Sequence, residues 1–259
     1  MADYISVDEA RTMSGLRLVL TPGVPGPWSE AAKGIFDVKK LPYVRVAQEL
    51  GGENTALIEW SAQATAPVAV WNDEPPRSTW IELLYLAERL APEPALVPTT
   101  IEDRTTMFGY CNELCGETGF GWSKRLMLVH PVLSDPNASP ENRGFAKYIG
   151  DKYGYEATVA ENAPHKTADI IRFLCARLER QQAAGSRFYI GQQLSALDIY
   201  SAAFTALIKP LPHELCPMPK AIRTMYVNTD PVLDAAVQPI LLEHRDFIYR
   251  EYLTLPIDL

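Results

Sequence analysis

The spacing of hydrophobic residues in the first ninety positions changes several times between strand-like and helix-like patterns. Residues 16–20, Leu-Arg-Leu-Val-Leu, alternate and contain β-forming side chains, so they predict a strand. The next stretch, 21–27, holds three prolines and two glycines and is neither strand nor helix interior. A helix is predicted from about Trp28, with Ser29 as its N-cap. The chain therefore opens with a strand, a kinked loop and a helix.

Two further strands and a second helix complete this first part. Strands are predicted at 43–46 and at 67–71, and a loop at 60–66 leads into the second of them. Ser78 then opens an amphipathic helix that runs to Leu90, where Ala-Pro-Glu-Pro at 91–94 stops it. Residues 14–91 thus predict a small α/β domain.

Beyond a proline-containing linker the alternating pattern disappears. Apolar residues then recur at helical spacing, for example over 170–178 and 197–208. Residues 101–259 therefore predict an all-helical second domain. Within it, 131–166 is polar and rich in turn residues, and its structure is the hardest to predict.

Composition limits the possible partners and locations. The chain has 259 residues, of which 47% are hydrophobic and 22% charged, as in ordinary soluble globular domains. Its net charge of −8, with no basic cluster, argues against a nucleic-acid partner. Because no apolar run is long enough to span a bilayer and no leader pattern is visible, we expect a cytoplasmic protein without a membrane partner.

Cysteine and histidine spacing gives no sign of a metal site. Only two of the four cysteines, Cys111 and Cys115, are close in sequence, and the four histidines are scattered. We expect reduced core cysteines and no bound metal.

Two motifs give the organisation a more specific meaning. The first is Ala66-Pro67 at the start of a strand, with Ser78 at a helix start eleven residues after the proline. The second is 188–199, in which Ser195-x-x-Asp198 forms a capping box at the start of a helix. In this order the motifs resemble the cytosolic glutathione S-transferase family, over roughly residues 16 to 215. The resemblance implies a thioredoxin-like α/β N-terminal domain followed by an all-α C-terminal domain.

The resemblance also implies a half-site for glutathione. Pro67 is then a cis proline, the backbone at Ala66 pairs with the cysteinyl part of glutathione, and Ser78 binds the γ-glutamyl carboxylate. A helix N-terminus with a hydroxyl and free N–H groups suits a carboxylate. Arg77, where the family usually has an acidic residue or glutamine, either pairs with a ligand carboxylate or lies exposed at a loop end. If the register relative to the family shifts by one residue, Ser78 and Thr79 take the two ligand-binding positions instead of Arg77 and Ser78.

The residue that activates the thiol is less evident. In the family it precedes the proline of the first loop, and here Gly26 precedes Pro27. A glycine offers only a backbone N–H and forms no mixed disulfide, so two hydroxyls, Ser29 and Thr21, are the catalytic candidates. Each also has a structural explanation, as N-cap and as strand residue. Trp28 either walls the thiol pocket or packs between the domains.

The resemblance implies a transferase that uses glutathione as co-substrate and directs its thiolate at a hydrophobic electrophile, a detoxification type of reaction. The first long helix of the second domain carries Phe108, Tyr110, Cys111 and Cys115, which either line the electrophile pocket or form a core stripe. The alternatives are a glutathione-dependent lyase or isomerase, or a binding or scaffold protein that kept the fold without catalysis. A homodimer is also implied.

Overall fold

The computed structural model describes residues 3–259, and its N-terminal part is built on a three-stranded sheet. The strands are β1 (Leu16–Leu20), β2 (Tyr43–Ala47) and β3 (Val68–Trp71), in the order β2-β1-β3. β1 pairs with β2 in parallel and with β3 antiparallel. Beyond β3, Arg77 forms a single bridge with Ala69. All three predicted strands are present, with ends that agree to within one residue.

Four helices cover this sheet: α1 (Val7–Arg11), α2 (Pro27–Val38), α3 (Thr55–Ser61) and α4 (Trp80–Leu90). α2 and α4 pack on the face that carries Leu16, Leu18 and Leu20. α1 and α3 pack on the other face in a smaller cluster that contains Val19. Both faces are covered, which explains why every residue of β1 is buried. Because α1 packs on the sheet, the α/β part starts before residue 14. The helix α3 ends at Ser61, so the first two residues of the predicted 60–66 loop are helical.

Two helix starts differ from the prediction. The N-cap of α2 is Gly26 rather than Ser29, because Pro27, with its fixed φ and no N–H to satisfy, takes the first helical position. The N-cap of α4 is Thr79 rather than Ser78, because Glu82 stands three residues after Thr79 and closes a capping box with it.

The rest of the chain is helical, as predicted. It consists of α5 (Ile101–Cys115), α6 (Phe120–Ser134), α7 (Pro140–Lys152), α8 (Ala157–Ala183), α9 (Ala196–Thr205), α10 (Lys220–Tyr226), α11 (Pro231–Ala236) and α12 (Pro239–Tyr252). Every residue of α9 is buried, and this helix packs against α2, α5 and α12. α9 therefore connects the α/β part to the helical part.

The predicted capping box at the start of α9 is confirmed. One carboxylate oxygen of Asp198 accepts hydrogen bonds from the Ser195 backbone N–H (2.8 Å) and hydroxyl (2.7 Å). The other oxygen accepts from the Tyr189 N–H at 2.9 Å and lies 3.0 Å from Nε2 of His244. Asp198 is fully buried, so this single side chain fixes the start of α9 to α12 in the core.

Over residues 3–259 no helix is both long and apolar enough to cross a bilayer. The four cysteines are free and buried, as expected for core residues. Within the same range no group of three or more His, Cys, Asp or Glu side chains is placed to hold a metal ion.

Candidate functional site

A cavity of about 120 Å³ lies between the α/β part and the helical part. The α/β part contributes the loop after β1, the first turn of α2, the end of β2 and the loop before β3. The helical part contributes α6, α7 and α10. The predicted site residues that line this cavity are Thr21, Trp28, Ser29 and Ala66. Pro67, Arg77 and Ser78 are not among its lining residues.

The N-terminus of α2 opens onto this cavity without a side-chain cap. The first bond inside the helix runs from the Glu30 N–H to the Gly26 carbonyl, at 2.8 Å. Pro27 has no N–H, so the N–H groups of Trp28 and Ser29 have no partner within the helix. Together with the positive end of the helix dipole, they form a favourable position for an anion.

Ser29 lies in this first turn, close to the site of the missing activating side chain. A Cβ built on Gly26 would be 3.7 Å from Oγ of Ser29. Ser29 is only 6% exposed and lines the cavity. Since Gly26 rather than Ser29 is the N-cap, the hydroxyl of Ser29 has no capping role at this helix.

Thr21 lies at the end of β1, where its hydroxyl donates a 2.5 Å hydrogen bond to Oε1 of Gln48. A hydroxyl has one proton to donate, so Thr21 would have to release Gln48 before it could donate to a thiolate. Gln48 is buried and also lines the cavity, although the sequence pattern did not single it out.

Trp28 both lines the cavity and packs between the two parts of the chain, the two alternatives that were predicted for it. Its indole lines the cavity, and its Nε1–H donates to the Cys115 carbonyl at 2.9 Å. The ring also meets Phe204 of α9 edge to face, with centroids 5.0 Å apart. One aromatic side chain thus forms a wall of the cavity and a contact between the two parts of the chain.

The Ala66–Pro67 peptide bond is cis, as the resemblance implies. Ala66 lines the cavity, together with Thr65 before it. Ala66 therefore lines the same cavity as Ser29 and the first turn of α2.

Arg77 is positioned away from the cavity. Its guanidinium forms an ion pair of 2.9 Å with Glu74, and Glu74 also pairs with Arg89 at 2.6 Å. The nearby acidic residue attracts the side chain back over its own turn. The predicted contact between Arg77 and a ligand carboxylate would require this ion pair to open.

The N-terminus of α4, where Ser78 was predicted to bind a carboxylate, already holds one. An oxygen of Glu82 accepts from the backbone N–H groups of Ser78 (3.2 Å) and Thr79 (3.0 Å) and from the Thr79 hydroxyl (2.8 Å). Burial raises the pKa of Glu82, but these hydrogen bonds outweigh it and lower the pKa below its ordinary value. Glu82 is thus an internal carboxylate at the expected ligand position.

A pair of basic residues on the helical side of the cavity was missed by the sequence reasoning. Arg125 of α6 lies against the hydroxyls of Tyr153 and Tyr226, and Lys152 of α7 donates a hydrogen bond to the Thr65 hydroxyl. All of these residues line the cavity. Burial and the charge of Arg125 lower the pKa of Lys152 to about 8.

The residues of α5 that were weighed for the electrophile pocket do not line this cavity. Cys111 and Cys115 belong to the main core, and burial raises the pKa of both thiols well above the ordinary value. Tyr110 lines a separate groove between α5 and α8, where it stacks on Phe173 with centroids 4.4 Å apart. The core explanation of the stripe therefore holds for the two cysteines.

No protein-family model and no curated protein sequence matches the chain. Solved structures do match its fold. A glutathione S-transferase from Methylobacillus flagellatus with bound glutathione has a TM-score of 0.59 and 12% identity, covering 91% of this chain and 95% of its own. A rice glutathione S-transferase in complex with glutathione has a TM-score of 0.57 and 17% identity, covering 94% and 93%.

The β-etherase LigF from Sphingobium has a TM-score of 0.57 and 15% identity, covering 90% of this chain and 99% of its own. Similarity at these identities establishes architecture rather than activity. The chain has the glutathione S-transferase fold, with a thioredoxin-like N-terminal part and an all-helical C-terminal part, as its sequence predicted.

Proposed function

We propose that this protein is a glutathione-dependent transferase whose active site is the cavity between its two parts. One observation carries the proposal: Gly26 and Trp28 at the open N-terminus of α2, Ser29 in its first turn, and Ala66 before a cis proline all line the same cavity. Binding of glutathione by two proteins of the same fold supports the choice of co-substrate.

Ser29 is the group that we propose activates the thiol. A free cysteine thiol has a pKa near about 8.5, and only its thiolate is a good nucleophile. The Ser29 hydroxyl donates to the sulfur, while the N–H groups and dipole of α2 favour its negative charge. Thr21, whose proton is engaged with Gln48, holds the end of β2 against the loop and acts as a positioning residue.

The reaction that follows is displacement at an electrophilic carbon. The thiol proton passes to solvent, the thiolate sulfur forms a bond to the carbon, and the leaving group departs with the electron pair of the bond that breaks. Cleavage of an ether carbon–oxygen bond is one version of this step, and one protein with the same fold is a β-etherase. Trp28 and the residues from α6, α7 and α10 surround the electrophile.

A second candidate function rests on Glu82. Because its carboxylate occupies the N-terminus of α4, a binding protein that keeps the fold but does not use glutathione is the alternative. Assembly as a homodimer and a role in detoxification remain proposals that follow from the resemblance, and a cytoplasmic location remains a proposal from the sequence pattern.

Calorimetric titration with reduced glutathione separates the two functions. Saturable binding supports the transferase, and no binding at millimolar glutathione supports the alternative. The ultraviolet absorbance of bound thiolate, followed against pH, then tests Ser29. Ser29→Ala should raise the pKa of bound glutathione by about one unit or more, as expected from losing a hydrogen bond to a charged group.

The control is Ser134→Ala, which removes an exposed hydroxyl at the end of α6. An unchanged thiol pKa in Ser29→Ala, with a raised one in Thr21→Ala, would transfer the activating role to Thr21.

A further inference from the structure

The cavity has a charge pattern that the proposed reaction does not itself require. Its walls are largely apolar and aromatic, with Trp28, Leu128, Tyr153 and Met225 among them. Two cationic side chains, Arg125 and Lys152, line the same cavity from the helical side. A site for an uncharged electrophile would need no cation at this position.

Neither cation is neutralised by the protein. None of the ion pairs within residues 3–259 includes Arg125 or Lys152, so neither side chain has a carboxylate partner in this range. The polar neighbours of Arg125 are the hydroxyls of Tyr153 and Tyr226, and Lys152 contacts the Thr65 hydroxyl. In a chain with 32 acidic and 24 basic residues, two adjacent unpaired cations in a cavity are unusual.

The two charges also act on one another. The charge of Arg125, together with burial, lowers the pKa of Lys152 to about 8. Like charges that line one cavity repel, and an anion bound between them removes this repulsion. The position is therefore ready for a negatively charged group.

Tyr226 links Arg125 to the loop that precedes the proposed thiol site. Tyr226, which contacts Arg125, donates a 3.1 Å hydrogen bond to the carbonyl of Pro25, the residue before Gly26. The basic pair thus faces the loop that leads into α2, and it does so from the helical part rather than from the α/β part that carries Ala66.

We propose, on the basis of the transferase function above, that the electrophilic substrate is an aromatic compound that carries a carboxylate. Arg125 and Lys152 bind the carboxylate, and Trp28, Leu128 and Tyr153 contact the ring. This narrows the hydrophobic electrophile expected from the sequence to an amphipathic anion.

The test compares two ligands of the same shape and different charge, trans-cinnamate and trans-cinnamamide. Each is titrated by calorimetry into the full-length protein saturated with reduced glutathione. We expect cinnamate to bind about tenfold more tightly than cinnamamide, as for a hydrogen-bonded charge pair that is partly exposed. Arg125→Gln and Lys152→Gln should each remove most of this preference, and Arg125→Lys should keep part of it.

Lys220→Gln is the matched control. Lys220 is an exposed residue at the start of α10 that does not line the cavity, so its loss changes the net charge equally without altering the basic pair. It should leave the preference unchanged. Thermal unfolding of each variant shows that it is folded, and Arg125→Lys keeps the test decisive if Arg125→Gln does not fold.

Equal affinity for the two ligands in the wild-type protein would overturn the proposal. So would a loss of glutathione affinity in Arg125→Gln and Lys152→Gln with an unchanged preference for cinnamate, because the cations would then bind the carboxylates of glutathione. If the wild-type protein binds no glutathione, the proposed function itself fails. Titration of cinnamate without glutathione then shows whether the basic pair still binds an anion.

Discussion

The Tyr226 hydroxyl donates a 3.1 Å hydrogen bond to the Pro25 carbonyl, and so the short helix α10 holds the loop that precedes the N-terminus of α2. Tyr226 is buried and also contacts Arg125. The position of the proposed thiol site thus depends on a residue about two hundred positions further along the chain.

Tyr226→Phe tests this dependence. Removing the hydroxyl leaves the Pro25 carbonyl without its partner and leaves Arg125 with the Tyr153 hydroxyl only, and we expect a loss of about 1 to 3 kcal/mol in the free energy of unfolding. Affinity for glutathione should fall with it, because the loop is no longer held. Urea unfolding and calorimetry measure the two effects. The exposed Tyr85→Phe should change neither, and an equal effect of both variants would refute the role of the hydrogen bond.

Gly121→Ala tests the close approach of α6 to Trp28. An added Cβ would lie 2.6 Å from a ring carbon of Phe204 and 2.7 Å from one of Trp28. Aromatic rings buried between helices cannot move away freely, so we expect about 1 to 3 kcal/mol of destabilisation and a shifted Trp fluorescence. Gly109→Ala in α5, where an added Cβ meets nothing within 4 Å, should be neutral or stabilising.

Asp198→Ala tests the capping box at the centre of the helical part. The substitution leaves the N–H groups of Ser195 and Tyr189 buried without an acceptor and removes the partner of His244. We expect a loss of about 3 to 5 kcal/mol in unfolding free energy, as when one partner of a buried charged network is removed. Ser139→Ala, at the exposed cap of α7, should cost only about 1 kcal/mol. Similar losses of unfolding free energy in the two variants would show that the burial of Asp198 does not increase the cost of removing it.

The pKa of Lys152 predicts a pH dependence of stability with a defined sign. Burial and the charge of Arg125 lower its pKa to about 8 in the folded protein, from an ordinary value of 10.5. Between these values the unfolded chain binds more protons at Lys152, so this residue makes stability increase as pH rises from about 8 towards 10. Unfolding free energies measured against pH should rise less steeply in Lys152→Gln. An identical slope in wild type and variant would contradict the prediction.

Glu82→Gln tests the occupied N-terminus of α4. If the γ-glutamyl carboxylate of glutathione binds there, it displaces the Glu82 carboxylate from the Ser78 and Thr79 N–H groups. Removing the charge of Glu82 should then tighten glutathione binding by several-fold, because like charges no longer compete. Glu102→Gln, in the first turn of α5, is the matched control. An unchanged affinity for glutathione would show that its carboxylate does not bind at the N-terminus of α4.

Features that depend on neighbours in the chain were predictable. Alternating residues at 16–20 form β1, and Ser195 and Asp198, three residues apart, form the capping box. The helix starts at Pro27 and Trp80 were missed by one or two residues because two local signals competed. At α2 a proline at the first position decided the start, and at α4 it was a glutamate three residues after Thr79.

The sequence by itself determined the order of elements, since period and local motifs depend on short-range sterics and hydrogen bonding. The resemblance carried by its motifs implied the glutathione S-transferase fold and, among the candidate site residues, Thr21, Trp28, Ser29 and Ala66, which line the cavity. The Arg77–Glu74 ion pair and the Thr79–Glu82 capping box join residues three positions apart, and they are local contacts that the sequence reasoning missed. Only the tertiary structure decided that Arg125 and Lys152 meet at the cavity. Arg125 and Lys152 lie on different helices whose crossing is set by core packing, which no spacing along the chain encodes.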